Sequence, residues 1–251
     1  MIRKISPKAL LFIFPLWLLT SLGFAAPWKY EIDPYIWAIN MNGHVGVGPA
    51  TAHVDQSFSE ILRHLNMAAM VYASAHNGRY GIYGNAVYAV TSVDASEDSI
   101  DIDLKNKYGI FDAGLSYIAY QNRARDHREF TVEPYAGVRY TFNNTTVNIS
   151  HIAFNKNVHW SDPVVGVSLK YNFNQQWYVK ASGDAGGTSR STDFTYSALG
   201  LLGYHPATWQ HTSMYLGYRL LSQTYQTGSG LNFYKWDMKL FGPLLGFSFT
   251  F

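Results

Sequence analysis

The chain of 251 residues contains no cysteine, which excludes a disulfide scaffold and thiolate metal clusters. Charge is scarce too: Asp, Glu, Lys and Arg supply 14% of the residues, where an ordinary soluble domain carries about 25%. Neither sign is in excess. Nineteen basic side chains face 17 acidic ones, and without Arg3, Lys4 and Lys8 of an expected leader the balance is 16 to 17, or −1. That excludes a polybasic footprint for nucleic acid. Beyond Pro27 no run approaches the roughly 20 apolar residues of a spanning helix.

The N-terminal segment has three parts. Met1–Lys8 is basic, Ala9–Leu22 is apolar, and Gly23-Phe24-Ala25 places small residues where signal peptidase reads them. This pattern predicts a secretory signal peptide over 1–25, cleaved after Ala25, and a single mature domain over 26–251. The apolar stretch is too short for a membrane anchor and holds Pro15.

In the mature chain large apolar residues alternate with small or polar ones. Leu245, Phe247, Phe249 and Phe251 share one face of the last segment, while Leu244, Gly246, Ser248 and Thr250 share the other. Side chains of a strand point to opposite faces with period two. Val165, Val167, Leu169 and Tyr171 likewise oppose Gly166, Ser168 and Lys170, and Phe111, Ala113, Leu115 and Tyr117 oppose Asp112, Gly114 and Ser116. Ten strands are predicted, over 28–41, 66–76, 79–92, 102–120, 129–142, 160–173, 176–186, 193–204, 210–223 and 236–251, within a range of eight to twelve. Asn77-Gly78 signals a tight hairpin. The connections read as mostly short turns on one side and longer loops (42–65, 93–101, 143–159, 187–192, 224–235) on the other. In an outer-membrane barrel the short turns are periplasmic, and with an even strand count both termini join them. Ser57-Phe58-Ser59-Glu60 fits a capping box, so a short helix is expected in the first long loop. It packs there or folds into the barrel mouth as a plug.

Charge decides which face meets lipid. Glu31, Asp33, Asp112, Glu133, Arg139, Lys170, Lys180, Asp184 and Arg219 all fall opposite the bulky apolar residues in this register. An outward Lys or Arg at the bilayer midplane would cost about 2–4 kcal/mol. The fold class that follows is all-β, a closed antiparallel transmembrane β-barrel with its apolar face outward. Trp28, Trp177 and Trp209 next to short turns, and Trp160 and Trp236 next to long loops, are expected in interfacial aromatic girdles.

The C-terminal run Gly242–Phe251 resembles the terminal strand of bacterial outer-membrane β-barrel proteins. Their insertion signal ends in an aromatic, has another two residues earlier, and carries a glycine five before the end. Phe251, Phe249 and Gly246 fit, whereas Leu244 stands where a polar residue is usual. Tyr30–Met41, the SFSEIL segment and Tyr215–Arg219 resemble a family of small, largely uncharacterised proteobacterial barrels. The resemblance implies the outer membrane of a Gram-negative bacterium, contact with its lipid, and delivery by the barrel-insertion machinery.

The nine inward charges comprise five acids and four bases, able to pair across a narrow lumen. A ten-strand barrel is only slightly wider than eight-stranded ones filled by side chains, so the expectation is a monomeric, non-enzymatic surface or structural protein with an ion-paired core. A narrow pore is the alternative. His211-Thr212-Ser213 is similar to the H-x-S pair of outer-membrane lipid A deacylases, but no acid partner accompanies it, and Ser150-His151 is weaker. The nine histidines show no metal-ligand spacing, and no cofactor is expected. The polar stretch Asn143–Asn157 suits surface contact.

Overall fold

Bulky residues at every second position commit these segments to strands, and a sheet whose edges would face lipid must close on itself. The computed structural model describes residues 27–97, 100–123, 128–149, 152–188 and 192–251. The elements in chain order are β1 (Lys29–Trp37), β2 (Asn40–Val47), β3 (Ala50–Gln56), α1 (Phe58–Arg63), β4 (Leu65–Asn77), β5 (Tyr80–Glu97), β6 (Ile100–Tyr117), β7 (Tyr120–Arg123), β8 (Glu129–Ile149), β9 (Ile152–Asn172), β10 (Trp177–Thr188), β11 (Thr192–Tyr204), β12 (Thr212–Thr227) and β13 (Tyr234–Thr250). Each pairs antiparallel with its neighbour, and β1 closes the wall on β13, with Ile32 opposite Phe249 and Ile36 opposite Leu245. Ten strand positions result. β1 and β2 follow one another along β13, and β3, paired to β2, stands in line above β4, paired to β1. The fold is a closed ten-strand antiparallel barrel with one short α-helix. The signal peptide expected over 1–25 lies outside the described residues.

Side chains turn as the alternation requires. Ile36, Leu115, Val165 and Leu216 are each about two-thirds exposed on the outside (67%, 67%, 66% and 60%). Leaving such side chains in water forfeits about 1.5–3 kcal/mol apiece, and a continuous band of them matches a lipid-facing surface. Tyr80–Tyr117, Tyr120–Phe130 and Trp177–Tyr204 ring pairs border the band at the end of the termini, and Tyr88, Phe111, Tyr140 and Phe142 cluster at its other edge. From Tyr80 to Tyr88 eight residues at about 3.4 Å each, tilted about 40°, rise about 21 Å. That matches the outward apolar band of such barrels, about 25 Å tall.

The small inner face has a steric cause. Tyr83 lies over Gly114 and Gly137, Tyr135 over Gly166, and Tyr215 over Gly246; a Cβ on Gly114 would meet the Tyr83 ring at 2.7 Å and the Ala136 carbonyl at 2.3 Å. Glycine on one strand makes room for an inward tyrosine of the next, which covers its exposed backbone.

Three expectations are corrected. First, the stretches read as long loops are mostly wall: β5 runs to Glu97, β6 starts at Ile100, β8 runs to Ile149, β9 starts at Ile152 and β12 reaches Thr227. Above the apolar band the outward residues turn polar while large side chains such as Val158 and Trp160 point inward, so the bulky-outside alternation is lost while the ladder continues. The described residues of the Asn143–Asn157 stretch, 143–149 and 152–157, are therefore the paired ends of β8 and β9. Second, 42–56 is the β2–β3 hairpin. The capping box holds: the Ser57 amide donates to Glu60 Oε2 at 2.6 Å and the Glu60 amide to Ser57 Oγ at 3.4 Å. Yet α1 has no buried residue and Leu62 is 51% exposed, so the helix sits on the wall and does not plug the mouth. Third, Trp160 and Trp236 turn inward, at 4% and 3% exposure, rather than joining a girdle. Parity explains it, since Trp160 lies an even number of residues from inward Lys170, and Trp236 from inward Gly246. The Asn77-Gly78 signal does mark a turn, with Gly78 (φ +61°) and Arg79 as its two loop residues.

Candidate functional site

The lumen is where the sequence places its charges, and it is built in three levels. Period two carries Glu31 and Asp33 of β1, Lys170 of β9 and Lys180 of β10 to the end where the termini lie. Glu31 accepts from Ser248 Oγ at 2.9 Å. Lys170 Nζ stands 4.5 Å from the centre of the Tyr178 ring and Lys180 Nζ 5.3 Å from that of Tyr72. Such contacts stabilise an ammonium by about 0.5–2 kcal/mol. Glu133 lies 3.7 Å from His76 Nε2. Below this level a vestibule of about 460 Å³ opens outward, lined among others by Glu31, Lys170, Tyr178 and His205.

The middle level is a closed network. Arg139, 2% exposed, donates Nε to Asp112 Oδ1 at 2.7 Å, Nη2 to Asp184 Oδ2 at 3.2 Å and Nη1 to Thr195 Oγ1 at 3.3 Å. Register makes the first pair direct neighbours, because Asp112 of β6 opposes Arg139 of β8. Arg219 reaches in from β12, with Nη2 3.6 Å from Asp112 Oδ2 and Nη1 donating to Tyr35 Oη at 3.2 Å. Tyr35 donates to Asn85 at 2.8 Å, and Asn85 donates to Asp112 at 2.9 Å. Tyr135 and Ser197 donate to Asp184. Two guanidinium groups thus meet the carboxylates of Asp112 and Asp184, and a third carboxylate, Asp162 of β9, is fully buried opposite Arg139 in the β8–β9 register. A cavity of about 150 Å³ separates this level from the one below, with Asp33, Tyr72, Tyr83 and Lys180 on its wall.

The third level is apolar and aromatic. Trp160 stacks on Tyr225 with centroids 4.5 Å apart and planes 9° apart, and Tyr108 stacks on Trp236 at 5.4 Å. Val87, Ile110, Leu221 and Leu240 fill in around them at 0% exposure, with Met238 at 1%. Tyr108 donates to Gln223 at 3.0 Å and Gln223 donates to Thr141 at 2.8 Å, whereas the buried indole Nε1 groups of Trp160 and Trp236 have no hydrogen-bond partner. The Arg219 guanidinium closes the level from below, 4.9 Å from the Trp37 ring.

Of the nine charges, Asp112, Arg139, Asp184 and Arg219 make direct ion pairs with one another. Glu133 meets a histidine, and Glu31, Asp33, Lys170 and Lys180 share the lower mouth. The aromatic level was missed by sequence reasoning. Its signal was present as the inward parity of Tyr108, Trp160, Tyr225, Tyr234 and Trp236, which proximity to supposed loops obscured. Gly246 lies beneath the inward Tyr215, whereas Phe249 on β13 and Phe251 just past its end are exposed. The Phe251 amide donates to Tyr30 O at 2.9 Å, and the Tyr30 amide donates back at 3.1 Å. His211 is exposed, its carbonyl takes the Thr250 amide, and Ser213 Oγ lies 3.5 Å from Tyr178 Oη, so no hydrogen bond joins the two members of the H-x-S pattern. Ser150-His151 lies outside the described residues.

No protein-family model and no curated protein matches the sequence. Among solved structures the chain is similar to OmpT, an outer membrane protease from Escherichia coli, at 9% identity over 92% of this chain and 99% of that chain, with a TM-score of 0.59. It also aligns with Ail, the attachment invasion locus protein of Yersinia pestis (12% identity, 90% and 99% of the two chains, TM-score 0.37). Neisserial surface protein A aligns at 12% identity (91% and 99%, TM-score 0.31). The likeness to OmpT is one of fold, that of bacterial outer-membrane β-barrels.

Proposed function

We propose that this chain is a sealed, monomeric, non-enzymatic outer-membrane protein of a Gram-negative bacterium, with its termini in the periplasm and its function in the wall that projects from the membrane. The observation that carries this reading is the closure of the lumen at two successive levels, the Arg139 network and the Trp160–Tyr225 and Tyr108–Trp236 stacks above it. An ion crossing here would have to part an ion-paired, hydrogen-bonded core and then a layer of packed apolar and aromatic side chains. The polar ends of β6, β9 and β13, with Lys105, Lys107, Asn155, Asn157, Lys235 and Asp237 beyond the apolar band, suit an exterior aqueous surface and thereby support the orientation. Gly246, Phe249 and Phe251 carry the pattern that barrel-insertion machinery would read.

Planar-bilayer recording of the purified protein tests the seal. No stable openings are expected from the native chain, and Trp160→Ala combined with Trp236→Ala should admit conductance or raise its noise. Stable channels in the native chain would overturn the reading. A narrow pore is the second reading, favoured by the vestibule and the cavity, which together leave only the two levels to breach. The non-enzymatic reading rests on the different partners of His211 and Ser213, the Thr250 amide on the carbonyl of the first and the Tyr178 hydroxyl beside the second. It predicts unaltered lipid A by mass spectrometry when the protein is expressed, and no cleavage of a peptide library.

A further inference from the structure

The nine histidines have no local metal-ligand spacing, but the barrel creates one across strands. The β2–β3 hairpin turns at Gly48-Pro49, with Gly48 at φ +58°, the conformation that suits glycine at the first loop position of a type II′ turn. Val47 pairs with Ala50 across this two-residue loop, and the ladder continues down to His44 opposite His53. Antiparallel pairs alternate between hydrogen-bonded and non-hydrogen-bonded, and the pair closing a two-residue loop is of the first kind. Three steps down, His44 and His53 form a pair of the second kind, in which the side chains come closest. Both are exposed, and their ring centroids lie 4.9 Å apart with the planes at 51°. They project outward: His44 is in register with Asp237 on β13, flanked there by inward, buried Trp236 and Met238. The row therefore reads carboxylate, imidazole, imidazole across three adjacent strands, on the polar part of the wall.

We propose that His44 and His53 bind a divalent first-row transition ion that suits imidazole, bridging β2 and β3. A metal–nitrogen bond of about 2.0–2.1 Å plus about 1.1 Å from nitrogen to ring centre puts two coordinated rings about 4.5 Å apart at a right angle, and about 5.2 Å apart at the tetrahedral angle. The observed separation falls between these values. Among the described residues no third ligating side chain closes on the pair. Two imidazoles and solvent thus form the shell, with the Asp237 carboxylate, 3.8 Å from Lys235 Nζ, next in the row. Copper(II) binds tightest in the divalent series, with zinc and nickel weaker. The ion has a structural consequence too. Among the described residues β3 pairs with β2 alone and no ladder joins it to β5, so a bound ion would staple an edge strand that has one neighbour there.

The test uses the untagged mature barrel in detergent, with Cu2+, Ni2+ and Zn2+ as separate probes. One equivalent of Cu2+ should show splitting from two nitrogens by electron paramagnetic resonance. His44→Ala and His53→Ala should each cut Ni2+ affinity about tenfold or more and leave one nitrogen, while His159→Ala, on an exposed site of β9, leaves binding unchanged. Because both ligands are solvent-exposed, the variants should keep the heat-modifiable migration of the folded barrel. Zn2+ should also slow amide exchange across 50–56 in the native chain but not in His53→Ala. Undiminished binding in the double variant, absence of binding in the native chain, or exchange at 50–56 indifferent to Zn2+ would each overturn the proposal.

Discussion

Arg139 offers the sharpest quantitative test of how the barrel interior is stabilised. Arg139→Leu keeps an apolar side chain of moderate volume but removes three donated hydrogen bonds, two of them to carboxylates at 2.7 and 3.2 Å. Asp112, 8% exposed, then keeps only the longer Arg219 contact at 3.6 Å and the Asn85 amide, while Asp184 keeps two hydroxyl donors and no cation. Breaking a buried pair on one side costs about 3–5 kcal/mol, since the partner charge stays behind. At about 1.4 kcal/mol per decade this is roughly two to three and a half powers of ten in the folding equilibrium. Replacing all three, Arg139→Leu with Asp112→Asn and Asp184→Asn, removes the two carboxylates stranded by the loss of their hydrogen-bonded cation and should return part of the loss, the buried Asp162 opposite position 139 remaining. The assay is reversible denaturant unfolding in lipid vesicles followed by tryptophan fluorescence, where Trp160 and Trp236 report from the level above. A loss under about 1 kcal/mol for the single variant, or a triple variant no more stable than it, would show that these charges are hydrated rather than paired, and the sealed-core argument would fall with them.

Further predictions concern the wall and the helix. Val167→Arg turns a cation toward lipid near the middle of the band and should cost about 2–4 kcal/mol in the same assay; an unchanged midpoint would mean that this face does not meet acyl chains. Gly114→Ala should cost about 1–3 kcal/mol by overpacking against Tyr83 and the Ala136 carbonyl, and combining it with Tyr83→Ala should give a non-additive cycle; strict additivity would contradict the packing. Ser57→Ala should lose about 1 kcal/mol of local helix stability through the missing cap, read as faster amide exchange over 58–64. Hydrogen bonds from the Ser57 amide and hydroxyl hold the Glu60 carboxyl below its ordinary range. The capping contribution is thus complete above the ordinary glutamate pKa and is lost as pH falls through the lowered value. Exchange protection of the helix, corrected for intrinsic rates, should drop at pH 3 relative to pH 6, and more so in the native chain than in Glu60→Gln.

The alternation that assigns Leu115, Val167 and Phe247 to the outside is a local property, readable along one strand, because lipid tolerates bulky apolar groups and penalises ions. Ten strands, their faces and the inward turn of all nine charges follow from it, and so does the capping box, which needs only four consecutive residues. Contacts between strands far apart in the chain obey no such local rule. The Arg139–Asp184 bond spans the lumen according to barrel width and strand stagger, and neither of these leaves a mark in sequence. The inward stacking of Trp160 and Trp236 needed the register to extend beyond the apolar band, where the outward residues turn polar and the large side chains point inward, reversing the pattern. Likewise the adjacency of His44, His53 and Asp237 exists only once β13, β2 and β3 lie side by side. The one-dimensional pattern determined which way each side chain points, because every residue meets the bilayer rule independently; which side chains meet was decided by closure of the wall, because a cylinder's circumference and shear belong to all ten strands together.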